Sequence, residues 1–145
     1  MKDILIRKLK AEDAQDISKI YGAITRTPVR DDFIHIITEQ VSRKEDASFV
    51  AELDGRVVGY MISIVISMGF GIKKSTWIAN MGVSPKLMGQ GIGEKLASRI
   101  FEFSREKVIK DVYTSVRWDS PDLLSFFKTL GFDRSNFINL RKVLE

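Results

Sequence analysis

The chain has 145 residues, 44% hydrophobic and 29% charged, with a formal net charge of +4. That is the composition of one folded domain, not of a disordered segment. It has no cysteine and a single histidine, His35, which excludes disulfides, thiolate metal sites, cysteine nucleophiles and multi-histidine metal centres. Residues 3–9 (DILIRKL) are apolar and β-branched and read as a strand. Glu12 to Ile24 places Ile17, Ile20, Tyr21 and Ile24 at helical spacing, and Pro28 ends that helix. Asp31 and Asp32 are positioned to cap a second helix with Phe33, Ile36, Ile37 and Val41 on one face.

Ser48–Leu53 reads as a strand, and Asp54-Gly55 is a favoured hairpin turn. Arg56–Ser67 is a long strand, apolar on both faces, and so belongs at the centre of a sheet. Met68–Lys74 reads as a turn and Thr76–Val83 as a further strand, broken by Pro85. A helix follows, with Ile92, Leu96, Ile100 and Phe103 on one stripe. Asp111–Arg117 reads as a strand. Ser120-Pro121-Asp122 starts a short helix that buries Leu123, Phe127 and Leu130 and is capped by Gly131. Phe137–Leu144 reads as the last strand. The order β-α-α-β-β-β-α-β-α-β describes a mixed sheet with helices packed on it, without repeats or linkers.

The N-terminal MKDILIRKLKAED has no signal-peptide core. The longest apolar run, Val57–Phe70, is interrupted by Gly59, Ser63, Ser67 and Gly69 and is too short to span a bilayer. A cytoplasmic protein without a membrane partner is expected. Lys and Arg are scattered, with no aromatic-interleaved basic stripe. The charge therefore favours an anionic small ligand over nucleic acid, whose binding would be steeply salt-dependent.

The stretch SPKLMGQGIGEKL, residues 84–96, sets Gly89, Gly91 and Gly93 at the mouth of a helix. A helix N-terminus carries unpaired N–H groups and about half a positive charge. Removing side chains there opens the backbone to a phosphate or pyrophosphate. The competing reading is a tight turn with close helix–strand packing. The dinucleotide fingerprint fails, because Glu94 and Leu96 stand where GxGxxG needs glycine. GFGIKKST fails as a Walker A loop, because no glycine directly precedes its Lys-Ser pair.

The segment resembles the acyl-CoA loop of the GNAT superfamily of acetyl-CoA-dependent N-acetyltransferases, [Q/R]-x-x-G-x-[G/A] after a strand ending in V-x-P. Here it reads Met88-Gly89-Gln90-Gly91-Ile92-Gly93 after Val83-Ser84-Pro85. FFKTLGF at 126–132 and AELDGRVVGYMIS at 51–63 are similar to two further family segments in the same order. The resemblance implies an α/β (α+β) fold: a mixed, mostly antiparallel sheet with splayed central strands and helices on both faces. It also implies a single domain over residues 1–145 with acetyl-CoA as donor. The pyrophosphate would lie on Met88 to Glu94, including Ile92. The pantetheine arm would pair with Met81, Gly82 and Val83, and Ser120 and Phe127 would lie beside the cofactor. The thioester would sit where the strands Thr76–Val83 and Asp111–Arg117 part. Transfer would be by direct attack of an amine, without an acetyl-enzyme, and no metal is implied.

The chain departs from the family at four positions. Met88 replaces Gln or Arg, Phe127 the tyrosine that protonates the leaving thiolate, and Ser120 an asparagine. Ser115 stands where members similar to ribosomal-protein N-terminal acetyltransferases carry a glutamate base. Asp119, Tyr113 and Asn80 are the substitute candidates, each against a plainer reading: a solvated turn, core packing and an ordinary strand residue. His35, on the second helix, which in the family helps form the acceptor site, is a further candidate, against the plainer reading of a structural residue. Trp77 and Trp118 are candidates for the acceptor pocket, against core packing. A lysine with pKa about 10.4 is neutral in about 0.04% of molecules at pH 7, an α-amine near 8 in about 10%. With no base placed, a low-pKa amine is the expected acceptor. Only thirteen residues follow Phe132, where many members of the family use more to cover the acceptor site; the resemblance then implies an open groove suited to a peptide or protein acceptor, with the loop Arg26–Asp32 as the alternative cover. The resemblance also implies a homodimer. The competing reading is an acyl-CoA-binding protein with weak or no catalysis.

Overall fold

The computed structural model describes residues 3–26, 31–43, 46–67 and 73–145, without the side chains of residues 31–33. Pro28, the capping side chains of Asp31 and Asp32, that of Phe33, and residues 68–72 of the expected turn lie outside the described residues. Residues 1–115 and 116–145 form two compact units, and each is described by itself.

The first unit is built on a five-stranded sheet in the order β1-β2-β3-β4-β5. Its strands are β1 (Leu5–Lys8), β2 (Phe49–Leu53), β3 (Arg56–Ile66), β4 (Ser75–Val83) and β5 (Val112–Thr114). The first three junctions are antiparallel and β4–β5 is parallel. The apolar run of β3 is central, as its two apolar faces require. The Asp54-Gly55 turn joins it to β2, with both residues at positive φ.

Helix α1 (Ala14–Thr25) and helix α2 (Asp31–Val41) cover one face of the sheet. Ile17 and Ile20 from α1 and Ile37 from α2 pack there with Val50, Tyr60 and Ile62 of the strands. Helix α1 ends at Thr25, where Arg26 turns left-handed, three residues before Pro28. A buried polar knot ties α2 to the sheet. The Gln40 Nε2 amide donates to Asp46 Oδ1 at 2.9 Å and to the Ser63 carbonyl at 3.2 Å. At the start of α1, Arg7 forks onto Asp13 at 2.9 and 2.8 Å and reaches Glu52 at 3.0 Å.

Helix α3 (Ile92–Glu106) covers the other face. Ile92, Leu96 and Ile100 are buried and Phe103 packs edge-on against Phe49, as the stripe implies. Thr76 Oγ1 and Ser104 Oγ, 2.8 Å apart, tie α3 to β4. Gly59 sets how close α3 sits: a Cβ there would meet Ile92 Cγ2 at 3.0 Å. A glycine inside a strand thus lets the first turn of α3 rest directly on β3.

The second unit holds helix α4 (Pro121–Thr129), with proline in its first turn and Gly131 at φ +93° just past its end. Phe127 is buried, with the rings of Phe126 and Phe132 edge-on to it at 5.1 Å on each side. Leu123, expected inside, is 40% exposed.

Two expected strands need correction. The fifth covers Val112–Thr114, not Asp111–Arg117. The last, Phe137–Leu144, has no strand partner within the second unit, where residues 137–145 are exposed and outside helix and strand. Alternating apolar residues make a segment competent to be a strand. The ladder itself needs a neighbour, and neighbours are not encoded locally.

Candidate active site

Strand β4 leads through Ser84 into a single 3-10 turn, Pro85–Leu87, and then into the glycine segment. Ser84 N–H still pairs with the Val58 carbonyl at 2.8 Å, so the segment leaves the sheet from a fixed point. Gly89 and Gly91 both adopt the left-handed conformation at φ +82°, which glycine reaches without strain. A Cβ at either position would meet nothing within 4 Å. The space over these two glycines is open, so close packing does not account for them. Gly91 is the N-cap of α3 and offers no side-chain cap. The first intrahelical bond runs from Lys95 N–H to Gly91 O. The N–H groups of Ile92, Gly93 and Glu94 therefore stand at an uncapped helix mouth. Met88 and Gln90 flank them with exposed side chains. An open groove of about 480 Å³ continues from Gly91 along Glu94, Lys95, Ser98, Arg99 and Glu102 to Ile6.

The edge of β4 is the second feature. Thr76, Trp77 and Ile78 pair with Val112, Tyr113 and Thr114, and the pairing goes no further. On its other side β4 keeps to β3 along its length, with one irregularity: Ile62 pairs with Asn80 and Ser63 with Ile78. Ala79 is the extra residue of a β-bulge. Bulges bend a strand and raise its local twist, and here β4 parts from β5 at that point. Among the described residues, Asn80, Met81, Gly82 and Val83 pair with β3 alone, which leaves an edge for an extended ligand.

The bulge also sets which side chains meet. Ile62 lies on the face packed by α1 and α2, and Asn80 pairs with it. Trp77 pairs with Ile64, two residues along on that face. Without Ala79 as an extra residue, positions 77 and 80 would face opposite ways. Trp77 stacks on Tyr113, with ring centroids 4.7 Å apart and 21° between planes. Asn80, Trp77 and Tyr113 therefore share one face where the strands part. On the same face, Gly82 is crossed by Tyr60: a Cβ at 82 would come within 2.8 Å of its ring.

The remaining candidates are less favourable. Asp119 is exposed and held in a two-point ion pair by Arg117, with both N···O distances 2.9 Å. That hydrogen bonding lowers its carboxyl pKa below the ordinary value. A carboxylate so stabilised is a poor proton acceptor. Trp118 is 87% exposed. Ser120 begins α4 without a side-chain cap bond. Ser115, just past β5, is exposed. His35 lies on the outer surface of α2, 4.0 Å from Glu39. Among the described residues no cluster of three metal-binding side chains exists, and no helix is long and apolar enough to cross a membrane. Sequence reasoning missed the Ala79 bulge, which leaves no compositional trace. It also missed the seat at Gly59, which a glycine inside a strand does signal.

The acetyltransferase (GNAT) family matches residues 14–132. The chain belongs to this family. It is accordingly an acyltransferase, and the family's donor is acetyl-CoA. The N-alpha-acetyltransferase of Sulfurisphaera tokodaii is 28% identical over 140 residues, 90% of this chain and 81% of that one. An N-acetyltransferase of Methanocaldococcus jannaschii is 25% identical over 109 residues, 68% of this chain and 44% of that one, so the chain spans under half of that longer relative. Among solved structures, the aminoglycoside N-acetyltransferase AAC(6′)-Iy in complex with CoA has a similar fold. Its TM-score is 0.83 at 14% identity, over 97% of this chain and 95% of that one. The splayed, mostly antiparallel sheet expected from the sequence agrees with that fold.

Proposed function

We propose that the chain transfers acetyl from acetyl-CoA to the α-amino group of a peptide or protein, in the cytoplasm and as a homodimer. One observation carries the cofactor half of this reading: two left-handed glycines under open space, at an uncapped helix mouth, directly after a strand edge left open by a bulge. The residues present fit the donor. The N–H groups from Met88 to Glu94 would hold the pyrophosphate, and Met88, in place of Gln or Arg, costs one side-chain contact without touching the backbone cradle. The backbone of Met81, Gly82 and Val83 would pair with the pantetheine arm. When bound, the donor supplies an acyl group activated as a thioester.

The amine nitrogen attacks the carbonyl carbon, the C–N bond forms, the C–S bond breaks, and the CoA thiolate leaves. Asn80 orders the water that takes the amine proton, and Tyr113 lines the approach beside Trp77. No general acid is needed for the leaving group, because a thiol pKa near 8.5 makes thiolate a tolerable leaving group near neutrality. Phe127 is compatible with that economy. The acceptor follows from the missing base: a group that is partly neutral already needs less help. The similarity to an N-alpha-acetyltransferase supports the same acceptor class.

The test is thiol release from acetyl-CoA with purified chain against peptides with free or blocked N-termini, lysine peptides, alkylamines and aminoglycosides. Mass spectrometry locates the added acetyl. Release confined to peptides with a free N-terminus is the expected result. Release with small amines alone overturns the acceptor assignment. Tight acetyl-CoA binding with no release for any acceptor overturns the catalytic reading.

A further inference from the structure

Tyr60 is 1% exposed, and its hydroxyl meets no hydrogen-bond partner among the described residues. A hydroxyl buried without a partner costs stability, and a core that needs only a ring here is served by phenylalanine. Such a group asks for a reason, and its position gives one. Tyr60 pairs with Gly82 across the ladder. Its Cε1 and Cζ lie 2.8 and 3.0 Å from where a Cβ at 82 would stand. The far end of the ring is therefore carried from β3 over to β4. The hydroxyl, one bond beyond Cζ, stands at the stretch of β4 that β5 has left, two residues along from Asn80 and on its face.

The cover over this place comes from a weak turn. Ile24 Cδ1 lies 3.0 Å from the same Cβ position, and Ile24 is 38% exposed. It belongs to the last turn of α1. That turn holds Gly22, which disfavours helix, and Thr25, whose hydroxyl donates to the Tyr21 carbonyl at 2.8 Å, a bond that loosens and bends a helix. Arg26 then leaves the helix left-handed. Segments of this build open locally at small cost. A ligand that displaces Ile24 and accepts from Tyr60 also relieves the orphaned hydroxyl. The surroundings select its chemistry. Ile20, Val57 and Ile62 of the buried cluster and the partly buried Tyr21 pack with Tyr60, and burial holds the phenol protonated throughout the neutral range. A neutral donor among apolar side chains suits a neutral oxygen and disfavours a carboxylate or phosphate.

We propose that the Tyr60 hydroxyl donates to one of the first two backbone carbonyls of the acceptor peptide, beneath a lid formed by Ile24. This rests on the α-amine acceptor proposed above. Asn80 and Gly82 are two residues apart, about 7 Å of strand, which an extended peptide covers with its first two residues. A lysine side chain or an alkylamine carries no carbonyl so near its nitrogen, so the contact selects α-amines. The test is calorimetry of the CoA-loaded protein with trialanine amide and with its two thioxo forms, sulfur replacing the first or the second carbonyl oxygen, in the parent, Tyr60→Phe and Ile24→Ala. Thermal melts and acetyl-CoA titrations accompany each. Tyr60→Phe should melt higher, bind acetyl-CoA as before, and bind trialanine amide about five- to tenfold more weakly. One thioxo form should lose a similar factor in the parent and nothing further in Tyr60→Phe. Ile24→Ala should bind the peptide at least about threefold more tightly, because the lid no longer has to be displaced. Peptide affinity in Tyr60→Phe within about twofold of the parent, or no binding by the parent, overturns the contact. An equal loss for acetyl-CoA overturns its place on the acceptor side, and unchanged or weaker binding in Ile24→Ala overturns the lid. Peptide bound through Tyr60 without thiol release leaves this contact standing and sinks the catalytic reading alone.

Discussion

Gly91→Val separates a ligand cradle from a structural turn. Gly91 sits at φ 82°, ψ 10°, where an L side chain costs about 1–2 kcal/mol. The open space over it adds no internal clash, so the loss of stability should stop at that strain. Binding should suffer more. A branched side chain over the helix mouth denies an anion its approach to the N–H groups. Two hydrogen bonds to a charged group, at about 1.5–3 kcal/mol each, amount to roughly 10²–10⁴ in the Kd for acetyl-CoA. Gly55→Val is the matched control: φ +79° and nothing within 4 Å, but in the β2–β3 turn. Calorimetric titration with acetyl-CoA, beside thermal melts of both variants, reads the two effects apart. The expected outcome is equal destabilisation with binding lost only at position 91. A Kd for Gly91→Val within about threefold of the parent, or equal loss in Gly55→Val, refutes the cradle.

Asp119→Asn should leave kcat/KM within about threefold and its pH profile unmoved, because the carboxyl is held ionised by Arg117 throughout the neutral range; an acidic limb that moves in this variant would identify Asp119 as the base after all. Tyr60 is buried, its hydroxyl meets no hydrogen-bond partner among the described residues, and burial raises its pKa above the ordinary 10.0. The folded state therefore keeps the proton that the unfolded state releases, so this contribution to stability is full below about pH 10 and lost as pH rises past it. Tyr60→Phe should gain about 1 kcal/mol at pH 7 and show a smaller loss between pH 9 and pH 11 in urea titrations; equal losses in both proteins would reject the assignment. Asp13→Ala removes the fork on Arg7, which keeps Glu52, and should cost about 1–3 kcal/mol in the same assay. A cost under about 1 kcal/mol would mean that the Arg7 network contributes nothing to holding α1 on the sheet.

Local chemistry made most of this fold legible. Proline and glycine punctuate it, a helical stripe at Ile92, Leu96 and Ile100 announces α3, and an uninterrupted apolar strand announces the centre of the sheet. The glycine loop was legible because its requirement, backbone without side chains at a helix mouth, is itself local. What failed was relational. Phe137–Leu144 has apolar residues at strand spacing but no ladder within its own unit, since pairing depends on a distant edge. Asp119 reads as a free carboxylate until Arg117, two residues away, is seen to occupy both its oxygens. The β4–β5 ladder ends at Ile78, beside the bulge at Ala79, a coincidence that no local pattern in β5 announces.

That bulge bears on the acceptor. It turns Asn80 onto the face of Trp77 and Tyr113, so the ground beside the thioester would hold an amide, an indole and a phenol. Neither β4 (STWIANMGV) nor β5 (VYT) carries a carboxylate or an imidazole. Nothing on these two strands removes a proton at neutral pH. An enzyme so built works on the fraction of acceptor that is already neutral. At pH 7 that fraction favours an α-amine over a lysine side chain by about 250-fold. Matched peptides, one with a free N-terminus and blocked lysine and the other reversed, should differ in kcat/KM by about that factor at pH 7. The rate with the lysine peptide should climb tenfold per pH unit up to about pH 10. Near-equal rates at pH 7, with a plateau below pH 8 for both, would mean that a base outside these strands does the work.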